Sequence, residues 1–405
     1  MLYKTKYLVL GAGPAGLTLA NALLQAGERN FLVLEGEETP GGLCRSCHVD
    51  ASPFDIGGGH FLDVRRANVN AFLFQYMPER EWNLYERDSR ISLGDMVIHH
   101  PFESNIWEMD IEQQVKYLKS IAMAGCNTGR PRPRKFVDWI RWKLGDCIAE
   151  DYMLPYNRKM FGKDLNQLGI YWLEKLPDVD FEETLRSCLS HRPFGRQPGH
   201  AQFYYPKQYG YGELWMRMGC ALRDKLMCGH KVQEVDFSNR QVKDQYDDIF
   251  SAELIITTIP WHSFRRTIGL PAEMRSIISS LRHTSIQTEY CQDNLDTLAH
   301  WIYYPDNELS YHRILVRHNF CPGSKGYWTE TNGERVKSSD DSFKYLNEYA
   351  YPLNTIGKNE KMQKLLSWSA RNGVIGLGRW GEHQHYNSDL VVQLALDLAK
   401  RLLEA

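Results

Sequence analysis

Three glycines in the order Gly11-Ala12-Gly13-Pro14-Ala15-Gly16 stand between an apolar run of strand length, Tyr7-Leu8-Val9-Leu10, and a helical stretch that reaches about Gly27. A second apolar run, Phe31-Leu32-Val33-Leu34, ends in Glu35. The chemistry open to this arrangement is dinucleotide binding. Gly11 permits the tight turn, Gly13 lets the backbone approach a pyrophosphate, and Gly16 lets the helix lie close to the strand. Amides at the helix N-terminus then face the phosphates. Glu35 lies at the separation expected of a carboxylate that binds a ribose 2′-hydroxyl.

More glycine follows: Thr39-Pro40-Gly41-Gly42-Leu43-Cys44-Arg45, then Phe54-Asp55-Ile56-Gly57-Gly58-Gly59-His60. A nicotinamide enzyme has no need of a second glycine pair just after the ribose-binding acid. FAD does, because its ribityl chain and isoalloxazine run on over more backbone. Gly41 and Gly42 allow that approach, and Arg45 is within reach of a phosphate. Cys44-Arg45-Ser46-Cys47-His48 matches the pattern of c-type haem attachment. No second Cys-x-x-Cys completes a zinc site, so the expectation is two ordinary thiols and no metal. His383 and His385, read as sharing one face of a strand, are expected to be local polar residues rather than ligands.

The elements that must position these residues follow from periodicity and composition. The 405 residues, 43% hydrophobic, suffice for two or three packed lobes. A net charge of −2 implies no global attraction to nucleic acid or anionic membrane. No apolar run reaches the ~18–20 residues of a membrane span. Nine scattered cysteines and the absence of a signal peptide point to a reducing cytoplasm. Apolar spacing predicts a helix at 111–118 and another from Phe136, separated by a proline- and arginine-rich loop at 128–134. Strands are expected at 202–206, 231–236, 252–259, 301–304, 314–316 and near Val374, with a closing helix over 390–403. The expected fold class is α/β: a Rossmann-like FAD-binding domain with a helical insertion and an antiparallel β-sheet substrate domain. Residues 1–66, 210–265 and 365–405 form the discontinuous FAD domain in this reading. Residues 106–200 form the helical insertion, and 67–105, 201–209 and 266–364 the substrate sheet.

The glycine segments resemble the FAD enzymes of the amine oxidase, protoporphyrinogen oxidase and UDP-galactopyranose mutase superfamily. Further segments resemble the mutase family, its eukaryotic-type branch in particular: His99-His100-Pro101-Phe102-Glu103-Ser104-Asn105, Pro155-Tyr156-Asn157, Trp172-Leu173, Phe203 to Gly212, Trp301 to Asp306 leading to Tyr311-His312-Arg313, and Gly378-Arg379-Trp380-Gly381. The resemblance implies non-covalent FAD, active when reduced, with NAD(P)H as an external reductant. It implies FAD contacts at Gly11, Gly13, Pro14, Ala15, Gly16, Glu35, Gly41, Gly42, Leu43, Arg45, Gly58, Gly59, His60, Val232, Gly378, Arg379 and Asn387. The reaction implied converts a nucleotide-linked pyranose to a furanose through a reduced-flavin N5–sugar adduct, without net redox change, in the service of cell-surface polysaccharide synthesis. A nucleotide sugar would be the partner, with self-association into a homo-oligomer left open. Arg313 would take the leaving pyrophosphate, with Lys175 helping. Phe102, Trp301 and Tyr303 would frame the nucleotide, with Glu103, Asn105, Asn157 and Tyr351 also in contact. His60 would lie beside the isoalloxazine.

The chain departs from the family pattern in places. Glu103 replaces a uracil-facing glutamine, and a carboxylate cannot donate as an amide does. A family arginine is replaced by Lys175 or lost, the C-terminal turn lacks another, and Phe320 stands for a tyrosine near the pyrophosphate arginine. Fewer cations and tyrosines would then face a diphosphate. An FAD-dependent oxidase or dehydrogenase acting on an amine, porphyrinogen or polyene is the alternative, and a flavin-binding protein without catalysis the third reading.

Overall fold

The computed structural model describes residues 1–162, 164–171, 173, 179–194, 201–336 and 342–404. Its N-terminal strand Leu2–Leu10 pairs in parallel with Phe31–Leu34 on one side and Ile249–Thr257 on the other. The last four residues of that strand are fully buried, as expected where helices cover both faces of a parallel sheet. Leu226–Met227 extends the sheet beyond Phe31–Leu34. Gln241–Asp244, Val232–Asp236 and Arg266–Ile268 extend it at the other edge, and Val374–Gly376 pairs alongside Ile249–Thr257. Helices Pro14–Gln25 and Ser388–Glu404 pack together, so the chain's two ends close one lobe.

This lobe runs past the boundary expected at 265. Arg266–Ile268 is one of its strands, and helices Ala272–Ser280 and Lys358–Arg371 supply Met274, Ile277, Met362 and Leu365 to its core. Short strands and charged segments mask this connection in the sequence.

A second sheet runs in the order Lys344–Pro352, His283–Cys291, Tyr327–Asn332, Arg313–Leu315, Trp301–Tyr303, Ser89–Leu93, Met96–His99. It is antiparallel except where Trp301–Tyr303 lies parallel to Ser89–Leu93. Helices Ile111–Ala122, Phe136–Ile148, Leu154–Phe161 and Phe181–Ser190 build a separate apolar cluster around Phe102, Trp139, Tyr152 and Leu154. The two lobes share a core, since Leu315, Trp328 and Phe320 from the second sheet region join the cluster that contains Leu17 and Val33. No described helix is long and apolar enough to cross a membrane.

Candidate functional site

Gly11 has φ +99°, and a Cβ there would meet Thr258 Oγ1 at 2.5 Å, so the turn after the first strand admits glycine alone. A Cβ on Gly16 would collide with the Gly11 carbonyl, which shows how closely helix and turn approach. Gly13 differs: its φ is −78°, and the nearest atom to an added Cβ is Gly42 Cα, at 3.9 Å. Gly13 therefore leaves open space in front of a helix whose first amides have no side-chain cap. Gly41 (φ +119°) and Gly42 (φ +54°) bring the second glycine turn up to the first, tied by Gly41 N–H to the Ala12 carbonyl at 2.8 Å. Two bare backbones flanking a free helix N-terminus fit a dinucleotide pyrophosphate.

Glu35 accepts from Ala12 N–H at 2.7 Å and Glu37 N–H at 3.0 Å, with burial pushing its carboxyl up. It is fixed at the mouth of the glycine turn, and each oxygen keeps a lone pair for a ribose hydroxyl. Arg45 is more committed than the sequence suggested. It donates to the Gly42 carbonyl, Glu37 and the Tyr345 hydroxyl, which engage three of its five N–H groups. Leu43 lies between these in the turn Gly42–Cys44. Pro14 and Ala15 open the helix, and a Cβ on Gly378 would touch the Ala15 methyl at 2.8 Å, so the C-terminal turn meets the first helix. Asn387 directly precedes Ser388–Glu404, and Val232 lies in the core with Leu10 and Leu34.

The Gly57–Gly59 stretch is held from both sides. A Cβ on Gly57 would collide with the Leu43 carbonyl, and one on Gly58 with Glu330. Gly59 N–H donates to Glu330 Oε1 at 2.9 Å. His60 follows, its Nδ1 3.3 Å from the Gly58 carbonyl and its ring parallel to that of Tyr211. Burial, aided by the Arg379 charge, pushes the imidazole down to about 4. Arg379 donates to the Tyr386 and Ala350 carbonyls and has no carboxylate partner among the described residues.

Arg313 faces Glu330 and Tyr303 across its two neighbouring strands. Its Nε lies 2.9 Å from Glu330 Oε2 and its Nη2 2.7 Å from Oε1, while Nη1 makes no hydrogen bond among the described residues. Tyr351, Tyr156 and Tyr303 act on its charge from close by. Tyr156, on helix Leu154–Phe161, stands edge-on to Tyr303 at 5.4 Å. Tyr351 stacks on His385 and lies 5.9 Å from the Arg379 guanidinium.

Sequence reasoning missed Arg87. Its guanidinium lies 4.9 Å from the Trp301 ring centre, and Nη2 is 3.2 Å from both the Tyr303 hydroxyl and His100 Nδ1. Only the parallel pairing of Trp301–Tyr303 with Ser89–Leu93 brings it there.

Several expectations are corrected. The tyrosines are not depleted around Arg313, and Phe320 lies elsewhere, fully buried against Phe61, Tyr205 and Trp328. Phe102 is no open platform for a base, because its ring is fully buried against Tyr117 and Tyr152. Trp301 is also covered, by Phe61 on one side and Arg87 as a cation–π partner. Asn105 and Asn157 turn their amide nitrogens back onto the Pro101 and Met153 carbonyls. Lys175, with Trp172, lies outside the described residues. His383 and His385 are in a turn, not a strand; His383 contacts the Arg282 carbonyl. Cys44 is buried and its thiol pushed up to about 12, which leaves it inert at neutral pH.

An NAD(P)-binding Rossmann-like domain matches residues 9–76. A crystal structure of reduced UDP-galactopyranose mutase superposes with a TM-score of 0.91 at 21% identity, over 99% of this chain and 94% of that one. The chain has the fold of UDP-galactopyranose mutase. At lower similarity the chain also superposes on a protein described as a protoporphyrinogen oxidase from Exiguobacterium sp. 255-15 (TM-score 0.71, 12% identity, 99% of each chain). It superposes too on a double mutant of putrescine oxidase redesigned in cofactor binding (TM-score 0.65, 14% identity, 100% of each chain).

Proposed function

We propose that the protein is an FAD-dependent isomerase that converts a nucleotide-linked pyranose to the furanose. One observation carries this reading: Glu330 accepts both Gly59 N–H and the Arg313 guanidinium. The glycine turn on the cofactor side and the arginine on the substrate side, far apart in sequence, therefore border one site.

Gly11, Gly13, Gly16, Gly41 and Gly42 would hold the pyrophosphate of FAD, Glu35 its ribose, and the Gly58–His60 turn and Arg379 its ring end. Reduced FAD would supply an electron-rich centre next to the sugar's anomeric carbon, without net redox change. Glu330 orients Arg313 so that Nη1 remains for a phosphate oxygen. Arg87 adds a second cation. Tyr156 and Tyr351 are held above their ordinary value by burial, so they remain phenols and donate to the leaving diphosphate. His60, neutral at physiological pH, can accept a proton as a sugar hydroxyl reacts.

The alternative, an FAD-dependent oxidase or dehydrogenase, is favoured by one feature. Glu330 neutralises Arg313, which reduces the net positive charge facing a diphosphate. Dithionite-reduced protein titrated with UDP and UDP-galactose, read by flavin fluorescence and product chromatography, separates the two. A furanose product without oxygen uptake supports the isomerase. Oxygen consumption with an amine or other reduced substrate overturns it. NAD(P)H in place of dithionite tests the external reductant.

A further inference from the structure

The basic, proline-rich loop at 128–134 has no part in the flavin or diphosphate site. It borders a cavity of about 800 Å³ that lies between helices Ile111–Ala122 and Phe136–Ile148. That volume falls within the roughly 300–1,000 Å³ of small-molecule sites. None of the lining residues belongs to the site described above.

Two glycines shape this cavity. Helix Phe136–Ile148 breaks at Gly145, whose φ is +78°, and a Cβ there would meet the Ser120 carbonyl at 2.5 Å. A Cβ on Gly125 would collide with the Trp142 ring, so that ring lies against bare backbone. The polar groups around the break find partners inside the wall. Cys126 N–H donates to the Trp142 carbonyl at 3.0 Å, and Cys147 N–H to Ser120 Oγ at 2.9 Å. Trp142 Nε1 donates to the Arg130 carbonyl at 2.8 Å, which ties the basic loop to the helix. The cavity is therefore built into the packing of the two helices rather than left between loose segments.

Its lining has two chemistries. Met123, Ala124, Pro131, Pro133 and Trp142 make an apolar wall, while Lys116, Lys119, Arg130 and Arg141 stand against two carboxylates, Asp138 and Asp146. Two of the cations are committed: Lys116 pairs with Asp151, and Arg141 with Asp146 and Glu150. The Lys119 and Arg130 side chains make no hydrogen bond or ion pair among the described residues. The surroundings are cationic too. From Lys116 to Asp151 the sequence carries eight Lys and Arg against four Asp and Glu, in a chain of net charge −2. A local excess of this size attracts anions to the face that opens onto the cavity. Inorganic phosphate would leave the apolar wall uncovered, and a neutral apolar molecule would leave the two cations without a partner.

We infer that this cavity binds a small soluble amphipathic anion. Its apolar body lies against Trp142, Met123 and the prolines, and its anionic head meets Lys119 and Arg130. Asp138 opposes that head and limits the affinity.

The test uses the FAD-loaded protein with anilinonaphthalenesulfonate as the probe, read by its fluorescence. Phenylnaphthylamine, the same body without the sulfonate, serves as the neutral control. The sulfonate should bind at least about fivefold more tightly than the control. Lys119→Glu and Arg130→Glu, both exposed positions, combined in one chain should weaken it roughly tenfold with FAD absorbance unchanged. Asp138→Asn should tighten it about twofold. Dodecanoate should displace the probe at concentrations where inorganic phosphate does not. Equal affinity for the neutral control, or sulfonate binding unaltered in the double variant, overturns the assignment. Displacement by inorganic phosphate as readily as by dodecanoate overturns the apolar half of it.

Discussion

Arg313 and Glu330 face each other on adjacent antiparallel strands, and the guanidinium spans both carboxylate oxygens at 2.7 and 2.9 Å. Burial alone would raise the Glu330 carboxyl, but Arg313, His312 and Gly59 N–H together hold it down to about 2. The folded-state value lies below the ordinary 4.5, so the stability from this group is complete above about pH 4.5 and lost as pH falls through about 2. The loss should be about 3 kcal/mol. Urea unfolding between pH 6 and 2.5 would show it. Glu330→Gln should lie about 3 kcal/mol below the parent at pH 6, because Arg313 is left uncompensated, and should be less acid-sensitive. Identical acid slopes in the two proteins would rule out this linkage.

Arg313 itself is testable through the ligand. Arg313→Ala should weaken a nucleoside diphosphate by about 2–4 kcal/mol while leaving FAD bound. Arg313→Lys should recover little of that, because a point charge cannot hold Glu330 with a fork and still present a free edge. Unchanged diphosphate binding in Arg313→Ala would remove the pyrophosphate assignment.

The first-turn glycines separate a structural from a ligand role. Gly13 has negative φ and open space before it, so Gly13→Ala should leave apoprotein stability within about 0.5–1 kcal/mol of the parent. FAD affinity should nonetheless drop at least about tenfold, as a methyl enters the pyrophosphate's space. Gly16→Ala should instead destabilise the apoprotein, because its methyl meets the Gly11 carbonyl. Melting of the apoproteins and FAD titration measure both, and normal FAD affinity in Gly13→Ala would displace the pyrophosphate from this cradle.

A histidine cluster away from the site should govern acid stability. His262 stacks on His283 at 4.8 Å beside Tyr349, and neither of its ring nitrogens has a hydrogen-bond partner among the described residues. Burial, then the His283 charge, pushes His262 down to about 4, below its ordinary 6.5. Its contribution is therefore complete above about pH 6.5 and lost as pH falls through about 4. His262→Phe should hold stability at pH 7 and take up roughly one proton fewer on unfolding across that window. Proton uptake unchanged from the parent would place the acid sensitivity elsewhere.

What the sequence determined by itself was local. The Gly11-x-Gly13-x-x-Gly16 turn, its flanking strand and helix, Glu35 and the second glycine pair are short-range patterns in the sequence, even though Thr258 and the approach of the two turns add to their demands in the fold. The helices that begin at Ile111 and Phe136 were legible for the same reason, since apolar spacing reports a face. Tertiary structure decided what depends on strand register. Antiparallel pairing set Glu330 opposite Arg313, and parallel pairing of Trp301–Tyr303 with Ser89–Leu93 brought Arg87 beside Tyr303. Nothing in local spacing carries register between strands, whether the partners stand 17 residues apart, as Arg313 and Glu330 do, or 216, as Arg87 and Tyr303 do. Burial was equally illegible: it closed Phe102 and Trp301 inside apolar surroundings and took Glu103 out of bulk water beside the Lys143 charge, because the neighbours that cover a side chain come from other parts of the chain.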